Sequence, residues 1–221
     1  MTGDGSGRGL RTALLAVIGV ALLLLGGGLA VALGVGRADA PAADSVDAGF
    51  ARDMSAHHLQ GVDMANLALE RSTDPAVRGM AFDISATQTN QTGRMQGWLV
   101  LWGIPLTGGE PMAWMSDAGS GHSGHGGMDM DPPGALMPGM ATDEELAELG
   151  TLSGNEFDVQ FLRLMIRHHQ GGKGMADDAA EHADVAAVRA LAASISESQA
   201  TETAVLTTML SERGGTPLPA P

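Results

Sequence analysis

Two segments of the chain carry the same pattern of methionine, paired histidine and glycine, Met-x-x-His-His-x-x-Gly-x-x-Met. The pattern begins at Met54 in the first segment and at Met165 in the second. On an α-helix its defined positions fall within a sector of about 120°, so they share one face. Thioether sulfur is a soft ligand and imidazole is intermediate, a combination that suits copper and Cu(I) in particular. The candidate ligands are Met54, His57, His58, Met64, Met165, His168, His169 and Met175.

Each of these residues also has an explanation without a metal. A methionine on the apolar face of a helix usually fills the core, and taken singly the four methionines favour that interpretation. A lone buried histidine is usually a hydrogen-bonded polar residue. A His-His pair that occurs twice at equivalent positions favours a metal, because four buried imidazoles need partners.

Other metals are less compatible with this set of residues. Zinc ordinarily takes Cys, His or carboxylate ligands rather than Met. Iron and manganese bundles direct several glutamates inward, whereas only Glu70 and Glu181 recur here. We expect those two glutamates to lie at the surface, which makes a ferritin-like metal-dependent oxidase the weaker alternative.

A second group of methionines and histidines lies between the two segments. Residues 106–141 are rich in Gly and Pro, a composition that predicts a long flexible loop that buries little. An ordinary linker with accidental methionines is the alternative, but exposed thioethers favour capture of a soft metal. Asp117, Asp129 and Asp131 could add oxygen ligands for Cu(II). The candidate ligands are Met112, Met115, His122, His125, Met128, Met130, Met137 and Met140.

The ligands of the doubled motif lie in two copies of an internal duplication. A shift of 111 residues superposes 50–103 on 161–214 without a gap, and Gln88 then matches Gln199. Each copy has the spacing of a helical hairpin, with Asp74 and Pro75 at the turn of the first. The pattern predicts second-copy helices over about 156–183 and 185–212, and a capping box at Thr142 opens a short helix. Two such hairpins predict an all-α, ferritin-like, up-and-down four-helix bundle.

The chain divides into five segments on this basis. Residues 1–40 form a cytoplasmic stub and an anchor or signal segment, 41–105 the first hairpin, and 106–141 the loop. Residues 142–215 form the short helix with the second hairpin, and 216–221 the tail.

The first forty residues direct the chain to a membrane. Residues 12–36 carry no charge, which is long enough for a transmembrane helix. Arg8 and Arg11 precede this stretch, so the positive-inside rule places the rest of the chain outside the cytoplasm. A cleaved signal peptide, with a small-x-small site at Ala38-Asp39-Ala40, is the alternative.

Composition excludes several kinds of protein. The absence of cysteine removes disulfides, thiolate metal sites and cysteine nucleophiles. The formal net charge is −14, and beyond residue 37 there are 9 basic and 25 acidic residues, which argues against a nucleic-acid partner.

The doubled His-His motif, with Phe161-Leu-Arg-Leu-Met-Ile-Arg-His-His-Gln-Gly in the second copy, resembles the bacterial family called domain of unknown function 305. Met-Pro-Gly-Met at 137–140, the Glu-Glu-Leu that follows and the pair Phe157-Asp158 add to the resemblance, which spans about 45–214. It implies an exported or anchored ferritin-like bundle, with some members linked to copper binding and resistance. Its His and Met positions carry over to the eight residues of the doubled motif. The copies differ at Gln60 and Gln170, so neither glutamine receives a role.

These observations predict a non-catalytic, membrane-anchored protein that sequesters or hands on copper, as Cu(I) or Cu(II), outside the cytoplasm. A secreted or periplasmic form after signal cleavage is the alternative location. A copper-accepting partner protein and a homo-oligomer are compatible with this prediction. The further alternative is a structural or sensory bundle whose histidines titrate near neutral pH.

Overall fold

The computed structural model describes residues 5–32, 39–116 and 134–221, and this part of the chain is helical without any strand. Two short helices lie between the two pairs of long helices of the hairpins. The helices are α1 (Gly5–Ala32), α2 (Val46–Arg71), α3 (Pro75–Trp102), α4 (Ala113–Ser116), α5 (Asp143–Leu149), α6 (Gly154–His182) and α7 (Ala186–Glu212). The predicted all-α class is confirmed, and the ferritin-like relationship stays a prediction.

The helix ends follow from local sequence signals. Asp74 caps α3 by accepting hydrogen bonds from the backbone N–H groups of Ala76 and Val77, and Pro75 occupies the first helical position. Gly103 ends α3 with φ of 70°, a left-handed conformation that costs glycine little. Thr142 and Glu145 form the predicted capping box at α5.

Polar contacts at the helix ends hold the two hairpins together. The buried carboxylate of Asp47, near the start of α2, accepts hydrogen bonds from the N–H groups of Asp184 and Val185, at 3.1 and 2.9 Å. It therefore caps α7, whose own N-cap residue Val185 supplies no side-chain hydrogen bond. Between the hairpins, α2 also packs against α6.

The core consists of two apolar clusters. One, here called the methionine cluster, contains the buried side chains of five methionines and, packed against them, two partly buried ones. The second core cluster contains Phe157 and Phe161 with Met64 and Met165. The paired histidines lie between the clusters along both α2 and α6. The methionine-cluster sulfurs belong to Met54, Met95, Met112, Met115, Met137, Met140 and Met175.

The N-terminal helix is a separate unit of the structure, which divides between residues 40 and 41. Within α1, Arg11–Leu29 is long and apolar enough to cross a bilayer, with a mean hydropathy of 2.4. A signal sequence satisfies the same criterion.

The segment predicted to be a flexible loop is in part well packed. Met137 and Met140 are 4 % and 7 % exposed, so the prediction that the segment buries little is wrong at its carboxyl end. The carboxylate of Asp53 accepts hydrogen bonds from the Met112 N–H and the Trp114 indole, which holds the amino-terminal part against α2. These methionines have a packing role that the loop composition did not indicate. Residues 117–133, with candidates His122, His125, Met128 and Met130, lie outside the described residues.

Candidate metal centre

The four histidines of the doubled motif are completely buried where α2 meets α6. The rings of His57 and His168 are in contact, with centroids 3.9 Å apart and planes inclined by 32°. His58 and His169 flank this pair, with centroid distances of 6.4 and 6.2 Å to the adjacent ring. The two copies of the motif therefore place their imidazoles in one continuous row.

Backbone carbonyls fix the two inner rings. Nε2 of His168 donates to the carbonyl oxygen of His57 at 2.9 Å. Nε2 of His57 donates to the carbonyl oxygen of Pro138 at 3.1 Å. Because a carbonyl oxygen only accepts, the proton of each ring must be on Nε2.

Side chains of the second helix of each hairpin fix the two outer rings. Nε2 of His58 lies 2.9 Å from Oε1 of Gln91 on α3. Nε2 of His169 lies 2.6 Å from Oε2 of Glu202 on α7. Both partner oxygens are acceptors, so Nε2 is again the donor. The two pairs are related by the 111-residue shift of the duplication.

All four Nδ1 atoms are buried without a hydrogen-bond partner. A neutral imidazole whose Nε2 carries the proton has its lone pair on Nδ1. Histidines that bind metals usually have this arrangement, in which one nitrogen donates to a carbonyl or carboxylate and the other binds the ion. The residues present therefore fit a metal that takes nitrogen ligands.

Burial lowers the pKa of three of these imidazoles and so favours the neutral form that a metal needs. Desolvation lowers the pKa of His57 to about 4, although its hydrogen bond to Pro138 opposes the shift. Desolvation, together with the neighbouring His57, lowers the pKa of His58 to about 3. The same two causes hold the pKa of His168 well below its ordinary value.

Glycines allow the two histidine helices to approach each other. A Cβ atom on Gly172 would lie 3.0 Å from Cε1 of His57, and one on Gly61 would lie 2.9 Å from Cε1 of His168. Either distance is shorter than ordinary van der Waals contact. The glycine of the motif is therefore required for the contact between the inner rings.

Two buried glutamine amides lie beside the same glycines. Gln88 faces Gly61 and Gln199 faces Gly172, and they are 3 % and 2 % exposed. Neither the oxygen nor the nitrogen of either amide has a hydrogen-bond partner. An unpaired buried polar group costs about 1–3 kcal/mol, so a polar partner for these amides would stabilise the bundle. The sequence signal was present, because both glutamines occupy one position of the duplication.

The four motif methionines do not surround a single point. Met54 and Met175 belong to the methionine cluster, whereas Met64 and Met165 belong to the second core cluster. On each helix one methionine is three residues before the first histidine and the other seven residues after it, which separates them by about 15 Å along the axis. The four motif methionines therefore lie in two separate core clusters.

The carboxyl end of the loop, residues 134–141, joins the methionine cluster to the histidines. Met137 and Met140 are buried in the cluster, and the carbonyl oxygen of Pro138, the residue after Met137, accepts the hydrogen bond from His57. Gln60 anchors the segment, because its amide donates to the Ala141 carbonyl at 2.9 Å and accepts from the Ala141 N–H at 2.8 Å.

Position 171 of the second copy corresponds to position 60 of the first, and it serves the same segment differently. A Cβ atom on Gly171 would overlap the Pro138 carbonyl, so this glycine provides the space into which the segment fits. Arg167 adds a hydrogen bond to the Met140 carbonyl and a two-point ion pair with Glu145, at 2.9 and 2.5 Å. The difference between Gln60 and Gly171, which the sequence left without a role, is thus explained.

The described carboxylates do not complete a site. Among the residues with described side chains, no group of three or more His, Asp or Glu could hold a metal ion. Glu70 and Glu181 are exposed, as predicted. A metal bound to the imidazoles would have to take its further ligands from elsewhere, and the methionine cluster contains thioether sulfurs that could serve.

Comparison with known proteins places this arrangement in a family. Residues 47–210 match the domain of unknown function DUF305. A predicted secreted DUF305 protein from Streptomyces coelicolor is 44 % identical, with a TM-score of 0.69 over 80 % of this chain and 98 % of that one. A DUF305 fragment from Deinococcus radiodurans is 32 % identical, with a TM-score of 0.61 over 76 % and 96 %.

A copper-bound structure is also similar. CopM in its Cu(II)-bound form is 26 % identical, with a TM-score of 0.55 over 76 % of this chain and 97 % of that one. No curated protein matches the sequence. The match to the family covers most of the chain and includes both His-His motifs, and the chain belongs to the DUF305 family.

Proposed function

We propose that this chain binds copper outside the cytoplasm and sequesters it or passes it on, without catalysing a reaction. The observation that carries the proposal is the state of the histidines. Each ring is held through Nε2 and has an unpartnered, buried Nδ1. Nitrogen lone pairs fixed in this way suit a borderline or soft metal.

The methionine cluster supports copper over other metals. Met137 and Met140 flank the residue whose carbonyl holds His57, so thioether sulfur and imidazole nitrogen lie in one connected part of the fold. Thioethers favour Cu(I), whereas zinc, calcium and magnesium prefer other ligands. The candidate ligands are His57, His58, His168 and His169 in the bundle, with Met54, Met137, Met140 and Met175 at the methionine-cluster end. The similarity to Cu(II)-bound CopM agrees with this choice.

The proposed location rests on α1. Its apolar stretch follows Arg8 and Arg11, and we propose that it anchors the chain in the membrane with the bundle outside. Cleavage of the same segment as a signal would give a secreted bundle. In either case an acidic surface, consistent with a net charge of −14, favours cations and a basic copper-accepting partner.

Titration of the full chain in detergent with Cu(I) and Cu(II), against competing chelators, tests the proposal. The double variant His57→Ala/His168→Ala should bind Cu(I) at least tenfold more weakly than the unaltered chain. His182→Ala is the matched control, because His182 is on α6 but outside the row of rings, where it contacts Asp178. Equal affinity of all three proteins for copper would refute the proposal.

A further inference from the structure

The two copies of the motif differ at the outer contact of their histidines. His58 contacts the neutral amide of Gln91, which is 8 % exposed. His169 contacts the carboxylate of Glu202, whose side chain is 23 % exposed. At His169, therefore, the row of buried imidazoles contacts a carboxylate on α7 that is partly exposed to solvent.

An open surface depression of about 320 Å³, here called the cavity, lies at this carboxylate. Its lining side chains are carboxylates and hydroxyls, and their spacing of three, four and seven residues places them on one face of α7. At the equivalent positions of α3 the chain has Ala86 and Gln91, so both carboxylates of the cavity are particular to the second copy. The lining residues are Ser194, Glu197, Ser198, Thr201 and Glu202.

The rings inside the bundle continue from this cavity. His169 is fully buried and contacts Glu202, His168 follows with a centroid distance of 6.2 Å, and His57 follows at 3.9 Å. The two carboxylates on this face of α7 attract cations and raise their local concentration at the surface. A cation at Glu202 would lie beside His169, the first imidazole of the row.

We infer that the cavity at Glu197 and Glu202 is the entrance through which a metal cation reaches the buried imidazoles. Glu202 is its positioning residue: its Oε2 accepts from the protonated Nε2 of His169, and its charge draws the cation from solvent to the side of this ring. This inference rests on the proposed binding of copper, and it assigns to the second hairpin a role that the first does not have.

The rate of metal uptake tests the entrance separately from the affinity. The full chain in detergent is mixed with aqueous Cu(II) in a stopped-flow instrument, and quenching of the fluorescence of Trp98, Trp102 and Trp114 is followed at several salt concentrations. In Glu202→Gln the amide oxygen can still accept from Nε2 of His169, as Gln91 does from His58, and we expect this variant to bind Cu(II) about tenfold more slowly than the original chain. The variant should also lose most of the salt dependence of the association rate.

Two further variants separate the route from general effects of charge. Ser194→Phe leaves the Glu202–His169 pair in place but fills the cavity, and it should slow uptake to a similar degree. Glu70→Gln removes an equal charge from an exposed position on α2, and its uptake rate should be unchanged. An uptake rate for Glu202→Gln equal to that of the original chain, or a loss of affinity without slower uptake, would overturn the inference. Failure of the original chain to bind copper would instead contradict the proposed function.

Discussion

His168 donates a hydrogen bond from Nε2 to the carbonyl oxygen of His57, while the two imidazole rings lie 3.9 Å apart. One contact thus fixes the tautomer of His168, and the other brings the two copies of the motif into direct contact. No equivalent carbonyl from α6 holds His57, which depends on Pro138 from a different part of the chain. The symmetry of the duplication is therefore broken at His57, which is held by the carboxyl end of the loop.

The buried histidines make the stability of the bundle depend on pH. The pKa of His57 is about 4 in the folded chain and 6.5 as its ordinary value, so between these values the unfolded chain binds more protons. The contribution of His57 is therefore complete above pH 6.5 and is lost as the pH falls towards 4, with an upper limit of about 3 kcal/mol.

Urea unfolding at pH 7.5, 6.5, 5.5 and 5, with a metal chelator present, measures this dependence. The free energy of unfolding should fall steadily below pH 6.5, before most carboxylates begin to titrate. His58→Gln, which keeps an amide donor near Gln91, should reduce the slope. A free energy of unfolding that stays constant from pH 7 to pH 5 would show that the imidazoles are not buried as neutral groups.

The motif glycine should be intolerant of even a methyl group. In Gly172→Ala the added Cβ would lie 2.8 and 2.9 Å from the amide atoms of Gln199 and 3.0 Å from His57. We expect a loss of about 1–3 kcal/mol in the free energy of unfolding. Gly174→Ala, two residues further along α6, has nothing within 4 Å and should gain about 0.5–1 kcal/mol from its higher helix propensity. Thermal or urea unfolding of both variants checks the difference, and equal effects would contradict the close approach of α2 and α6.

Gln60 should control the order of the segment that holds His57. Removing its amide in Gln60→Ala deletes two hydrogen bonds to Ala141, each with a net value of about 1 kcal/mol. Hydrogen exchange at the Ala141 amide should become faster, because that N–H donates to Gln60. Gln160→Ala, whose amide accepts from Arg163 of its own helix, is the control and should leave this exchange unchanged. Unaltered exchange at Ala141 in the Gln60 variant would show that the segment is held by other contacts.

The two ends of the bundle should differ in their contribution to Cu(I) binding. Met137→Leu/Met140→Leu preserves apolar volume, with a cost of about 1.5 kcal/mol or less per substitution, but removes the sulfurs next to Pro138. We expect the affinity for Cu(I) to fall at least tenfold and that for Cu(II) to change less. Met64→Leu/Met165→Leu at the second core cluster should leave both affinities unchanged. Competition titrations measure all four affinities. An equal loss of Cu(I) affinity in the Met64→Leu/Met165→Leu variant would contradict the assignment of the sulfur ligands to the methionine cluster.

Local patterns in the sequence were sufficient for the helices and for the pairing of the histidines. Asp74, Pro75 and Gly103 are signals read within one turn, and the 111-residue shift by itself makes His57 and His168 equivalent. Burial of Met137 and Met140 depends on contacts with α2 and α6 that are distant in sequence, and Gly- and Pro-rich composition gives no indication of them. The rise of the helix separates Met54 from Met64 along its axis. A projection down the helix axis shows only that the two residues share a face.

The protonation of the ring nitrogens tests the central claim most directly. In ¹⁵N-labelled full chain, long-range proton–nitrogen NMR spectra distinguish Nδ1 from Nε2 of each histidine, first without metal and then with one equivalent of Cu(I). We predict that His57 and His168 carry their proton on Nε2 in both states, and that Cu(I) changes the Nδ1 resonances while Nε2 stays protonated. Nδ1 resonances that remain unchanged when Cu(I) is bound, or protons on Nδ1 in the metal-free chain, would contradict the account.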